Sequence, residues 1–256
     1  MGATQTKSET SLNTRKVRYY TSGNIMTETY FKNGRCHSDG DKPAEILYYE
    51  NGNVQLQKWH KDGRCHRDGD KPAEIYYFKN GKVKSQMWYK NQNLHRGQSS
   101  WSLFESNVDT DKPAEIHYYE DGKVKSQMWY TDGKMHRDKN KPAEICYDED
   151  GNIWLEKWAR DNRYHRDNGP ALVITYKNCA FDLEINDKVE SEGDMYRLEK
   201  WYTNGTAWNS KGPIIIHFIN NVKIREVWKD RPSRVLLEYV DFPQHGKPMM
   251  EIFVVD

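Results

Sequence analysis

Between Pro72 and Asn91 the chain reads PAEIYYFKNGKVKSQMWYKN, two short runs rich in Ile, Tyr, Val and Trp on either side of Asn80-Gly81. Runs of this length and composition, bounded by turn residues, predict two strands whose successive side chains point to opposite faces. Asn-Gly between them predicts a hairpin with a two-residue type I′ loop, in which both central residues take positive φ. With Lys79 paired to Lys82, the register sets Tyr77 opposite Lys84, Ile75 opposite Gln86 and Ala73 opposite Trp88, so one face carries Ala, Ile, Tyr and Trp. Applied to Asn51-Gly52, Asp121-Gly122 and Asp150-Gly151, the same reading sets Ala44 against Trp59, Ala114 against Trp129, Ala143 against Trp158 and Tyr147 against Trp154. A small residue thus recurs beneath each large ring, the complementarity expected of cross-strand neighbours.

The hairpin is one copy of a repeat. Prolines at 43, 72, 113, 142, 170 and 213 are separated by 29, 41, 29, 28 and 43 residues. Tyr30, Trp59, Trp88, Trp129, Trp158, Trp201 and Trp228 keep step with them, and His37, His66, His95, His136 and His165 each lie seven positions after one of the first five rings. A second turn follows each hairpin, at Asn33-Gly34, Asp62-Gly63, Asp132-Gly133 or Asn204-Gly205, and a His-Arg loop leads to the next Pro. One such unit cannot bury its own apolar face and must stack on its neighbours. The expected fold is all-β, an elongated single antiparallel sheet of stacked β-hairpin repeats of about 29 residues. Residues 1–16 are expected to be a flexible polar leader, 17–228 the repeat array and 229–256 a C-terminal β cap. Insertions interrupt the array near 96–110 and 177–197.

Composition narrows this picture. The chain has 256 residues, a formal charge of +1, and 13 % aromatic residues, including 9 Trp and 17 Tyr. Few aliphatics and many amphipathic rings suit a thin sheet covered by side chains rather than a thick core. Balanced charge argues against nucleic acid as a partner. No apolar run approaches the length of a membrane span or the core of a signal peptide, which places the protein on the cytoplasmic side. Cys36, Cys65, Cys146 and Cys179 lack the density of a disulfide scaffold and read as free thiols.

Repeated histidines invite a metal or catalytic reading. Equivalent histidines two strands apart lie about 10 Å from each other, too far to share an ion. No cofactor motif and no metal set are expected. Each His is assigned instead to packing against the next repeat's Trp or Pro, with Asp68, Asp138 and Asp167 bonding to turn backbone. Trp59, Trp88, Trp129, Trp158 and Trp201 complete the packing set. Arg67, Arg137 and Arg166 form a candidate stripe for partners or anionic headgroups, against the alternative of solvated or locally paired arginines. Trp101, Leu103 and Phe104 in the first insertion form a candidate docking knob, against the alternative that they fold back on a sheet edge. Met1-Gly2-Ala3-Thr4-Gln5-Thr6 fits an N-myristoylation pattern at Gly2, followed by Arg15, Lys16 and Arg18 as a basic second signal.

The Trp-Tyr-x-Asn/Asp-Gly text, WYTDG at Trp129 to Gly133 and WYTNG at Trp201 to Gly205, resembles the MORN family of repeats. With HRDGDKPAEI at His66 to Ile75, it is more similar to the variant MORN repeats of bacterial antitoxin-like proteins and large DNA viruses. The resemblance implies scaffolding, membrane apposition or protein binding, and without a nucleophile, phosphate-binding loop or cofactor motif no enzymatic activity is expected. The favoured expectation is a structural or interaction protein within a large assembly, membrane-apposed or virion- and capsid-associated in a large DNA virus. The alternative is a soluble antitoxin-like inhibitor of one partner.

Overall fold

A computed structural model describes residues 13–38, 40–96, 111–177, 195–209, 212–231, 234–240 and 249–251. Among them there is no helix. The chain divides into two compact bodies, one running to Thr110 and including Ala114–Gly122, the other made of Asp111–Pro113 and the chain from Lys123 onward. In the first body, strands Asn13–Tyr19, Ile25–Lys32, Glu45–Tyr48, Val54–Lys58, Glu74–Tyr77, Val83–Met87 and Glu115–Tyr118 follow sequence order, each antiparallel to the next. In the second, Val124–Met128, Glu144–Tyr147, Ile153–Lys157, Leu172–Lys177, Met195–Lys200, Ile215–Ile219, Val222–Arg231, Arg234–Val240 and Met249–Glu251 do the same. After Trp59, Trp88, Trp129, Trp158 and Trp201 comes a short hairpin, such as His60–Lys61 with Arg64–Cys65 or Ala159–Arg160 with Arg163–Tyr164. The antiparallel hairpin-repeat class is the one that the sequence predicts.

The turns differ from expectation. At the tip of the long hairpin Gly81 N–H donates to Phe78 O at 2.9 Å and Phe78 N–H donates to Lys82 O at 2.8 Å. Gly81 has φ +85°, whereas Asn80 is absent from the positive-φ residues. The loop is therefore Lys79-Asn80-Gly81, a type I turn closed by a glycine bulge, not a two-residue type I′ loop. The bulge moves Tyr77 from Lys84 to Val83 and Tyr147 from Trp154 to Ile153. Beyond it the predicted register returns, with Ile75 opposite Gln86 and Glu74 opposite Met87. The type I′ geometry belongs to the short hairpins, where both loop residues have positive φ, for example Asp62 (51°) and Gly63 (82°). Asn91-Gln92 and Asp161-Asn162 adopt the same turn without glycine.

Packing follows the alternation of large and small residues. Ala44, Ala73, Ala114, Ala143 and Ala171 are fully buried, and Trp59, Trp88, Trp129 and Trp158 are only 4–6 % exposed. Each Trp backbone lies between two alanines, Trp59 following Lys58, which pairs with the residue after Ala44, and donating its own N–H to Ala73 O at 2.8 Å, as Trp129 N–H does to Ala143 O at 2.9 Å. One alanine belongs to the ring's own hairpin and one to the next. The second contact makes the repeats interdependent, because no hairpin covers its ring alone.

The first strand begins at Asn13, inside the stretch expected to be leader. It is drawn into the sheet by Arg15, which faces Tyr30 across the pair and bonds Glu28 at 2.7 Å. At the second insertion the flanking strands are longer, continuing through Tyr176 opposite Tyr196 and Lys177 opposite Met195.

Candidate functional site

The residues singled out for chemistry converge at the joint between successive repeats. Around Trp59, the loop after the short hairpin turns back so that the Arg67 guanidinium sits over the indole, 3.7 Å from its centroid. Arg67 Nε and Nη2 donate to Asp41 Oδ1 at 3.1 and 2.6 Å, and Nη1 donates to Pro72 O at 3.1 Å. Asp41 comes from the preceding loop, and its carbonyl accepts from Trp59 Nε1 at 3.1 Å. The arrangement recurs as Arg96 over Trp88 (3.8 Å), Arg137 over Trp129 (3.6 Å) and Arg166 over Trp158 (3.7 Å). A guanidinium is attracted by the negative face of an indole, more so when both are withdrawn from water.

Arg67, Arg137 and Arg166 are thus locally bonded, the alternative weighed against a stripe offered to partners. The Arg67 and Arg137 side chains are 14 % and 13 % exposed. Arg166 bonds Pro170 O at 3.1 Å and Asn140 Oδ1 at 3.3 Å. The four rings are capped by the guanidinium groups and nearly buried. Sequence reasoning missed the clasp because Asp41 lies 26 residues before the arginine it binds.

The histidines form a second clasp. His66, His136 and His165 share hydrogen bonds through Nε2 with Asp68 (3.0 Å), Asp138 (3.1 Å) and Asp167 (2.9 Å). Those aspartates therefore bond the imidazole two residues back rather than turn backbone. On the other side of the ring, Nδ1 of His37, His66 and His165 accepts from the N–H of Asp62 (3.3 Å), Asn91 (3.4 Å) and Asn204 (3.2 Å), each in the turn of the next short hairpin. With Nδ1 an acceptor, the proton resides on Nε2, which donates to the aspartate. Next to these bonds, Gly63 N–H donates to Cys36 O at 2.9 Å, Gln92 N–H to Cys65 O at 3.0 Å and Gly205 N–H to Tyr164 O at 2.9 Å. The short hairpins thus carry a ladder of their own. His95 is buried.

The last of these joints is altered. Trp201 N–H still donates to Ile214 O at 2.8 Å, but Trp208 stands in the histidine position and Asn209 in that of arginine. Asn209 Nδ2 keeps the bond to the proline carbonyl, Pro213 O at 2.8 Å.

Three thiols among the described residues are held in the protonated form. Burial, with Glu45 second, pushes the Cys36 thiol up to about 11, and burial with Glu74 pushes Cys65 up to about 12. Burial, then Glu144, pushes Cys146 up to about 11. Thiols held this high are poor nucleophiles. The Arg67 bond holds the exposed Asp41 carboxyl below its ordinary value, and the Arg137 bond does the same for Asp111. Among the described residues no group of three or more His, Cys, Asp or Glu is placed to hold a metal. Among the same residues no helix is long and apolar enough to cross a membrane. Gly2 and the Trp101, Leu103 and Phe104 knob lie outside the described residues.

A hairpin whose ring is closed by the loops around it defines a β-hairpin repeat protein. The model of the MORN repeat variant matches residues 15–33, 73–91 and 114–132, each running from the first strand of a long hairpin to the first residue of the short turn. Three of the chain's hairpins thus match the MORN repeat variant, which supports a MORN-like repeat protein. A search of curated proteins finds no match. MORN repeats suggest a protein-interaction or scaffold role.

Proposed function

We propose that this protein is a non-enzymatic interaction scaffold whose repeated His, Arg and Asp residues hold its repeats together, leaving loops and hairpin tips to meet partners. One observation carries the reading: the groups that a catalytic site would need are present in several copies and are already bonded across joints, as Arg67 is to Asp41 and His66 to the Asn91 turn. A catalytic constellation is instead unique and leaves its nucleophile and base accessible to substrate. The variable positions are the long-hairpin tips, whose bonds to the next tip change from Asn53 Nδ2 on Lys79 O to Lys82 Nζ on Glu120 O. Variation there writes partner specificity without disturbing the joints.

The finer reading is a component of a large assembly, membrane-apposed or within a virus particle and tethered at Gly2. Its competitor is an inhibitor of one soluble partner. Size fractionation of native extract, followed by cross-linking, separates them: the scaffold travels with a large particle or membrane fraction, the inhibitor as a small stoichiometric complex. A monomer that cross-links to nothing removes both. Mass spectrometry that finds an unmodified Gly2 removes the tether.

A further inference from the structure

Arg67, Arg137 and Arg166 are bonded inside their joints, but a second row of cations stands three positions before them. It occupies the residue after each short turn: Arg35 and Arg64 in the first body, Lys134 and Arg163 in the second. All four are exposed. Their stems are nevertheless held in place. A Cβ added to Gly63 would lie 3.7 Å from Arg35 Cβ, and one added to Gly205 would lie 3.5 and 3.6 Å from Arg163 Cβ and Cγ. These arginines run over the glycine of the next turn, which leaves the charged end at the surface.

The acids of the same rim are used inward. Asp62 Oδ1 lies 3.5 Å from His37 Nδ1, and Asp161 Oδ1 lies 3.6 Å from His136 Nδ1. Asp68 is shared between His66 and Lys61, and Asp167 between His165 and Arg160. Among the described residues no carboxylate is paired with Arg35, Arg64, Lys134 or Arg163. Each body therefore presents two successive cations whose charge the rim does not cancel.

We infer that this row is a docking site for an acidic peptide segment of a partner, with one carboxylate for each cation. Successive cations are one repeat, or two strands, apart, which is roughly 10 Å. A polyproline II segment rises about 3.1 Å per residue with three residues per turn, so every third side chain falls on one side, about 9.3 Å from the last. Acidic residues at every third position thus match the row. A membrane surface fits less well, because the Asp62 and Asp161 side chains, 72 % and 63 % exposed, stand in the same turns and would meet anionic headgroups with like charge. The formal charge of +1 lacks the excess of a nucleic-acid binder. That the acid comes from a protein rests on the interaction-scaffold reading.

The test is fluorescence anisotropy of dye-labelled Glu-Pro-Pro-Glu-Pro-Pro-Glu titrated with the full-length chain. Expected are saturable binding that weakens as salt rises, and weaker binding of Glu-Glu-Glu-Pro-Pro-Pro-Pro, which carries the same charge at the wrong spacing. The Arg64→Gln/Lys134→Gln/Arg163→Gln variant should bind about tenfold more weakly with an unchanged unfolding midpoint. Lys79→Gln/Lys84→Gln/Lys125→Gln, which removes as many exposed cations away from the row, should bind as the parent does. Equal affinity for the two peptides, or equal losses in the two variants, overturns the row as a site. Phosphatidylserine vesicles that displace the peptide from the parent chain and fail to bind the rim variant assign the row to a membrane and overturn the peptide. Because the peptide is added pure, its failure removes this row alone, whereas a native chain recovered without partners removes the scaffold reading alone.

Discussion

The joints at Trp129 and Trp158, both in the second body, differ in the acceptor that the arginine meets and in the lysine beside it. At Trp129 the arginine Nε meets a carboxylate, Asp111 Oδ1, at 2.6 Å, with Lys141 on the other oxygen. At Trp158 it meets an amide, Asn140 Oδ1, at 3.3 Å. The guanidinium nevertheless sits 3.6 Å over one ring and 3.7 Å over the other, and each arginine keeps its bond to the following proline carbonyl. The ring and that carbonyl set the position, and the carboxylate adds strength to a geometry that already exists. Without the carboxylate, burial lowers the Arg166 pKa.

The largest effects should be the same at both joints. Trp129→Ala and Trp158→Ala each remove an indole 5–6 % exposed between two alanines and should cost about 3–5 kcal/mol. Hydrogen exchange at the flanking strands checks this locally. A loss at Trp158 less than half that at Trp129 would mean that the carboxylate, not the ring, organises the joint.

Removing the arginines should separate the two. Arg137→Ala loses the stack, the Pro142 bond and a charge-assisted bond to Asp111, about 2–3 kcal/mol in all. Arg166→Ala loses stack and carbonyl bond but also relieves a half-buried cation with no carboxylate in its clasp, so about 1 kcal/mol is expected. Denaturant unfolding of each variant measures the gap, and equal losses would show that Asp111 contributes nothing.

Exchanging the acceptors sharpens the point. Asn140→Asp should stabilise by about 0.5–1 kcal/mol, and Asp111→Asn should destabilise by a similar amount. Asn140 has φ 55°, a left-handed conformation that Asp also accepts. The pH dependence has a definite sign. Arg137 holds the Asp111 carboxyl below its ordinary value, so its contribution is complete above the unfolded value of about 3.9 and disappears as pH falls through the lower folded value. Acidification below about pH 4 should therefore loosen the Trp129 joint more than the Trp158 joint, and Asn140→Asp should erase the difference.

What the sequence disclosed, and what it hid, divides by range. Period two within a run and a period of about 29 between runs are local or strictly repeated, so the hairpins, the buried Ala and Trp row and the histidine positions were all legible. The clasp joins Arg137 to Asp111 across 26 residues and a neighbouring hairpin, and an arginine next to a histidine reads as surface until that partner is in place. The turns misled for another reason. Asn-Gly serves both a type I′ loop and a type I turn with a glycine bulge, and only the strand twist and flanking bonds choose between them. Asp161-Asn162, with no glycine, gave no signal at all.

That last turn is a second difference between the same two repeats, since Asp132-Gly133 follows Trp129 and Asp161-Asn162 follows Trp158. Asn162 holds φ 66°, where glycine is free of Cβ strain, so Asn162→Gly relieves the backbone by a few tenths of a kcal/mol. Its side chain, however, accepts from Met135 N–H at 2.7 Å, while its own N–H donates to Met135 O at 3.1 Å. Glycine keeps the second bond and loses the first, worth about 0.5–1.5 kcal/mol. The net expectation is a destabilisation of about 0.5 kcal/mol, read as faster exchange of the Met135 amide with the Trp158 ring still capped. A gain in stability would mean that turn strain outweighs the inter-repeat bond, and that glycine is favoured in these turns for its conformation alone.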